Sequence, residues 1–208
     1  MTKRNNLKIK IRIFLGVIQW HCGTGIMTVR RTLWTILLST TFILNCNRTG
    51  KSMLEFYDYK VTNSLEVPNE VCLCFHIAEC QNRCHGCFSK ELWESSGISL
   101  SEVYKNIMLA YSQRITCICF LGEGRNTDVE HDEFLQLCND IHSFGFRTCL
   151  YSGRDCLIEE WMYCFDYIKI GSYKESLGDL SSETTNQRLY KKIKLDYKDI
   201  THLFWNDK

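Results

Sequence analysis

Four short apolar runs, separated by stretches of helical periodicity, constrain the fold of this 208-residue chain most strongly. The runs predict β-strands over Val71–Ile77, 114–121, 146–151 and 167–171. Helices are predicted between them, over 100–113, 128–144 and 156–164. Ser99 and Glu102 predict a capping box for the first helix, and Gly145 predicts the end of the second. Because strands that alternate with helices are typical of βα units, the sequence predicts an α/β fold with a mainly parallel sheet.

Three cysteines follow the first predicted strand in a C-x3-C-x2-C pattern: Cys80, Cys84 and Cys87. Ligands of parallel sheets bind beyond the carboxyl ends of the strands, where these cysteines are expected. A 4Fe-4S cluster normally takes four cysteine ligands, so a compact set of three predicts a cluster with one iron open to a ligand that is not protein. Two other interpretations stay open: inert thiols, or a zinc site that uses His85 as a fourth ligand. His85 is adjacent to Cys84, however, and neighbouring side chains rarely converge on one tetrahedral ion.

The chain has 13 cysteines, an odd number that leaves one unpaired in any set of disulfides. Cys72 and Cys74 alternate with apolar residues in the first predicted strand, and Cys117 and Cys119 do so in the second. We interpret these four as small core residues of a protein in a reducing cytoplasm.

Charge divides the chain into two unlike pieces. The first 52 residues contain nine Lys and Arg and no Asp or Glu, whereas the rest contains 16 basic and 24 acidic residues. The net charge of +1 therefore hides a basic and an acidic segment. This balance excludes a basic patch spread over the whole chain, and we expect no nucleic-acid partner.

The basic segment contains an apolar stretch, residues 33–45, which is too short for a transmembrane helix of about 20 residues. Arg30 and Arg31 before it give it the character of a signal sequence. Export would carry an oxygen-sensitive cluster to a compartment without reductant. We therefore interpret residues 1–52 as an upstream extension, from a misassigned start, and residues 53–208 as one functional domain that begins near Met53. We expect a cytoplasmic protein without stable membrane association.

Further short motifs follow the other predicted strands. Gly122, Glu123 and Gly124 form a Gly-Glu-Gly segment after the second strand. The remaining strings are Cys84-His85-Gly86-Cys87-Phe88 with Trp93 downstream, Tyr151-Ser152-Gly153, 166–171 (DYIKIG) and 184–190 (TTNQRLY). With these strings, the chain from Met53 to about Lys192 resembles the anaerobic ribonucleoside-triphosphate reductase activating proteins of the radical S-adenosylmethionine (SAM) superfamily.

The resemblance implies a fold, two cofactors and two partners. The fold is a partial (βα) barrel of the radical SAM type, and Cys80, Cys84 and Cys87 ligate a 4Fe-4S cluster. A low-potential donor supplies one electron, SAM is cleaved reductively, and the resulting radical takes a hydrogen atom from a glycine of the large reductase subunit. No catalytic residue is implied beyond the cluster and SAM.

The resemblance also implies that Gly122, Glu123 and Gly124 approach the amino group of SAM. The family's segment is of the Gly-Gly-Glu type, whereas here only Gly122 precedes Glu123. Asn186, Gln187 and Arg188, in the most family-specific string, are interpreted either as a structural polar clasp or as a partner contact.

Two alternative functions remain open at the level of the sequence. One is an activase for another glycyl-radical enzyme such as pyruvate formate-lyase, although those activases are usually longer. The other is a non-catalytic zinc or iron-sulfur binding module, in which the three cysteines act as a structural staple. Such a module predicts a closed site and no requirement for SAM.

Overall fold

The computed structural model describes residues 12–14, 17–22, 25–30 and 54–205. It divides the chain into two compact units, residues 1–50 and 51–208. In the first unit, strands β1 (Arg12–Phe14), β2 (Val17–Cys22) and β3 (Gly25–Arg30) form an antiparallel sheet in that order. The apolar stretch 33–45 and Met53 lie outside the described residues. Of the helices described, none has the length and apolar character to cross a bilayer.

The second unit is an α/β structure built on one seven-stranded sheet with the order β10-β9-β8-β7-β6-β5-β4. Its strands are β4 (Phe56–Asn63), β5 (Val71–Ile77), β6 (Cys117–Leu121), β7 (Arg147–Tyr151), β8 (Tyr167–Ile170), β9 (Arg188–Ile193) and β10 (Asp196–Asp199). Strands β5 to β8 are parallel to one another, whereas β4, β9 and β10 join antiparallel.

The parallel core confirms the predicted βα pattern, but the prediction of a mainly parallel sheet is too strong. Only three of the six strand pairings in this sheet are parallel. Short connections explain two of the three antiparallel pairings. Residues 64–70 join β4 to β5, and Lys194 and Leu195 alone join β9 to β10. Links this short can only reverse the chain, because a parallel pair needs a crossover of a dozen or more residues.

Two helices provide the first crossovers. Helix α1 (Leu100–Tyr111) connects β5 to β6, and α2 (Asp128–Ser143) connects β6 to β7. The helix predicted over 156–164 is a shorter 3-10 helix, Glu160–Cys164, between β7 and β8. Gly145 follows α2 with φ +84° and donates its N–H to the carbonyl of His142, which confirms the predicted stop.

The predicted capping box of α1 is wrong. Ser99 is the N-cap residue, but its hydroxyl makes no capping hydrogen bond. A complete box instead begins α2: the Thr127 Oγ1 accepts from the Glu130 N–H at 3.4 Å, and Glu130 Oε2 accepts from the Thr127 N–H at 3.0 Å.

The two faces of the parallel core bury different side chains. Toward the helices the sheet presents large apolar groups, such as Phe75 and Phe120, which pack with Phe134 of α2. The opposite face, which we call the thiol face, presents the fully buried side chains of Cys72, Cys74, Cys117, Cys119 and Cys149. The prediction that the strand cysteines are core residues is therefore confirmed.

Candidate functional site

The cysteine loop, residues 79–94, leaves the carboxyl end of β5 and folds back on itself. The Glu79 N–H donates to the carbonyl of Glu94 at 3.2 Å, and the Cys80 N–H donates to the carbonyl of Leu92 at 2.8 Å. Inside the loop, the Cys87 N–H donates to the Cys84 carbonyl at 3.2 Å and closes a tight turn, in which Gly86 has φ +76°. The predicted ligands Cys80, Cys84 and Cys87 therefore lie on one compact loop at the expected edge of the sheet.

The three loop thiols differ from those of the thiol face. Each is partly exposed, and none forms a disulfide. Burial raises the pKa of the Cys80 thiol, and the proximity of Cys84 and Cys87 adds to the increase, although the N–H groups of Asn82 and Arg83 oppose it.

The donor set, rather than a preformed cage, fits an iron-sulfur cluster. In the part of the chain that the structure describes, no three His, Cys, Asp or Glu side chains converge as ligands of a metal ion. His85, the fourth ligand of the zinc interpretation, is exposed. Three accessible thiols on one loop are the ligands that a cluster with one open iron requires.

A side-chain amide connects the cysteine loop to the neighbouring strand end. Asn82 Nδ2 donates to Cys84 Sγ at 2.8 Å and also to the carbonyl oxygen of Gly153, which lies just beyond β7. A Cβ atom at Gly153 would approach Asn82 Nδ2 to 3.0 Å, so the glycine leaves room for this contact. The sequence reasoning did not assign a role to Asn82, because its partner Gly153 is 71 residues away.

The Gly-Glu-Gly segment lies at the carboxyl end of β6, as predicted. Gly122 has φ +119°, and a Cβ atom there would lie 3.2 Å from the carbonyl oxygen of Ile77. Gly124 has φ +65°, and its Cβ would lie 2.8 Å from Glu130 Oε1. Both positions therefore need glycine, because the backbone is left-handed and a neighbour approaches closely.

The Glu123 carboxylate is buried and already paired. Arg154, after β7, donates from Nε to Glu123 Oε2 at 2.7 Å and from Nη2 to Oε1 at 3.3 Å. Arg154 also forms a two-bond pair with Glu159, and this pairing lowers the pKa of Glu159 to about 2. The sequence reasoning missed Arg154, although it directly follows the Tyr151-Ser152-Gly153 string.

Lys169, near the end of β8, brings a buried positive charge to the same edge of the sheet. Its Nζ donates to the carbonyl of Gly171 at 2.7 Å and to that of Ser152 at 3.5 Å. Burial lowers the pKa of Lys169 to about 8, and attraction to Cys84, Asp155, Glu123 and Cys87 limits the decrease. The hydrogen bonds from Asn82 to Gly153, from Arg154 to Glu123 and from Lys169 to Ser152 bring the cysteine loop, Glu123 and Lys169 to one edge of the sheet.

The Thr-Thr-Asn-Gln-Arg string binds the loop that follows β8. Asn186 Nδ2 donates to the carbonyl of Ser172 at 3.0 Å, and Gln187 Nε2 donates to that of Gly171 at 3.4 Å. Arg188 Nη1 donates to the carbonyl of Thr185 at 2.6 Å. These hydrogen bonds within the chain agree with the interpretation of the string as a structural polar clasp. The other interpretation, a partner contact, stays a prediction.

Comparison with known proteins identifies no relative of this chain. No protein family matches the chain, and neither a curated protein nor a solved structure matches it. The residues and geometry of the carboxyl edge of the sheet are therefore the basis for the function proposed below.

Proposed function

We propose that this chain is a cytoplasmic radical SAM activase that generates a glycyl radical on an anaerobic ribonucleoside-triphosphate reductase, and that its open sheet is a partial (βα) barrel. One observation carries the proposal: three accessible cysteines without disulfides share one loop at the carboxyl edge of a parallel core, beside Glu123 and Lys169. Ligands of such sheets bind at this edge.

The proposed cofactors are a 4Fe-4S cluster on Cys80, Cys84 and Cys87, and SAM beside Gly122, Glu123 and Gly124. With both bound and an electron from a low-potential donor, SAM cleavage supplies a carbon radical that takes a hydrogen atom from a glycine of the large reductase subunit. The protein binds and orients these groups, and this chemistry needs no general base from the chain.

Two charged side chains beside the cysteine loop support the proposal. The buried Lys169 ammonium offsets the charge of cysteine thiolates. Arg154 holds the Glu123 carboxylate in one orientation through two hydrogen bonds. The carboxylate that SAM is proposed to contact therefore has a fixed orientation.

The first test is cluster loading and SAM cleavage by the full chain under anaerobic conditions. We expect iron and sulfide uptake and the release of 5′-deoxyadenosine and methionine. Cys84→Ala should abolish both. Cys164→Ala is the matched control, because this thiol is also partly exposed but lies outside the cysteine loop, where it donates to the carbonyl of Trp161 at 3.4 Å. Equal losses in both variants would show that the chosen ligands are wrong.

The second test concerns the partner. Electron paramagnetic resonance of the anaerobic mixture with the large reductase subunit should show a glycyl doublet, which is lost with Cys84→Ala. A doublet on pyruvate formate-lyase and not on the reductase would support the alternative activase. Zinc uptake without SAM cleavage would support the non-catalytic module.

A further inference from the structure

The hydrogen bonds that reach the three loop sulfurs come from different kinds of donor. The backbone N–H groups of Asn82 and Arg83 donate to the Cys80 thiol, and the backbone nitrogen of Ser89 donates to Cys87 Sγ at 3.4 Å. Cys84 Sγ accepts from the side-chain amide of Asn82, at 2.8 Å. This donor can be removed by substitution, whereas the backbone donors cannot.

Both hydrogens of the Asn82 amide are engaged, so its direction is fixed. One bond reaches Cys84 Sγ and the other reaches the Gly153 carbonyl. Since an amide nitrogen has only these two hydrogens, rotation of the side chain would break both contacts. The carbonyl of Gly153, just beyond β7, therefore fixes the orientation in which Asn82 donates to Cys84 Sγ.

We propose that Asn82 is a positioning residue that raises the reduction potential of a cluster held by Cys80, Cys84 and Cys87. Hydrogen bonds to the ligand sulfurs stabilise the reduced state, which carries one more negative charge, and so make reduction easier. The inference rests on the proposed function, because it needs the cluster. It adds that the donor, which lies on the cysteine loop itself, is oriented by the carbonyl of Gly153, just beyond β7.

The test uses the full chain, reconstituted anaerobically with iron and sulfide, and three variants. Asn82→Ala removes the donor. Asn82→Leu removes it while nearly preserving the side-chain volume. Gln81→Ala is the matched control, because this exposed neighbour in the same loop donates to the carbonyl of Glu79, at 2.8 Å, and to no cysteine sulfur among the described residues. Iron content is measured first, and the midpoint potential is then measured by a redox titration followed by electron paramagnetic resonance.

We expect all variants to bind iron, with the midpoint potential more negative in Asn82→Ala and Asn82→Leu and unchanged in Gln81→Ala. Unchanged potentials in both Asn82 variants would overturn the inference while leaving the proposed function intact. Loss of iron from both Asn82 variants, with iron retained in Gln81→Ala, would also overturn it, because Asn82 would then act only as a structural clasp. A wild-type chain that takes up no iron would refute the proposed function and this inference together.

Discussion

At the scale of single residues, Lys169 makes stability depend on pH. Its pKa falls from 10.5 to about 8 because folding buries the ammonium group. Below pH 8 the folded chain must bury a charge, and this penalty is fully present. Between pH 8 and 10.5 the folded chain has lost the proton that the unfolded chain still holds, so the contribution of Lys169 to the free energy of unfolding rises with pH.

Lys169→Met should abolish this contribution. Across the interval from pH 8 to 10.5, we expect the free energy of unfolding of the wild type, relative to that of the variant, to rise by about 3 kcal/mol. Urea unfolding of the metal-free chain at several pH values measures the difference. Lys198→Met, at an exposed position of β10, is the control and should follow the wild type. Identical pH profiles for wild type and Lys169→Met would contradict the argument.

Local spacing in the sequence predicted one set of candidate residues, whereas residues whose contacts reach distant parts of the chain were missed. Cys80, Cys84 and Cys87 could be found because one short loop carries all three. Arg154 acts on a carboxylate 31 residues away, and Asn82 acts on a carbonyl 71 residues away. Contacts between strand ends become visible only when the strand order is known.

At the scale of elements, the α2 capping box supports the turn that contains Glu123. Glu130 is fully buried, and its carboxylate accepts from the N–H groups of Thr127, at 3.0 Å, and Arg125, at 3.2 Å. The same carboxylate lies where a Cβ atom at Gly124 would be placed. The start of α2 therefore determines which residue the turn can accept.

Gly124→Ala should lose more stability than Gly145→Ala. Both glycines have positive φ, which costs an alanine about 1 kcal/mol. A Cβ at Gly145 meets no atom within 4 Å, whereas one at Gly124 lies 2.8 Å from Glu130 Oε1. We expect a loss of about 1 kcal/mol for Gly145→Ala and of about 2 to 4 kcal/mol for Gly124→Ala, measured by urea unfolding. Equal losses would mean that Glu130 moves aside freely.

The strands that the sequence predicted are those that the sheet buries on both faces. Val71–Ile77 is a continuous apolar run and forms β5 with the predicted bounds. The predicted strand 114–121 begins only at Cys117, because α1 ends in a turn closed by the Arg114 N–H and the Tyr111 carbonyl. Strands β4, β9 and β10 were missed, because they carry exposed polar residues and lack a continuous apolar run.

At the scale of the whole molecule, the second unit contains its own core, and that core begins at Leu54. This side chain is fully buried, its N–H donates to Glu133 Oε2 at 3.0 Å, and its carbonyl accepts from Leu100 N–H at 2.9 Å. Phe56, at the start of β4, is also buried and packs edge-to-face on Phe75. The folding unit therefore needs the residues directly after Met53.

A chain that begins at Met53 should unfold at the same urea concentration as the full chain and bind as much iron. A chain that begins at Asp58 is the control. It lacks Leu54 and Phe56, whose burial contributes about 1.5 to 3 kcal/mol each, and should lose at least about 3 kcal/mol of stability. If the chain from Met53 is insoluble or free of iron, residues 1–52 belong to the functional domain.

The buried cysteines of the thiol face allow the opening of the sheet to be followed by chemical modification. Five cysteines are sealed inside the parallel core, whereas the cysteines of the loop remain partly accessible. An alkylating reagent can therefore modify the loop cysteines while the fold is intact, but it reaches the sealed ones only when the strands separate. When the reagent reacts with an exposed thiol faster than the sheet recloses, the rate at which the sealed cysteines are modified equals the rate at which the sheet opens.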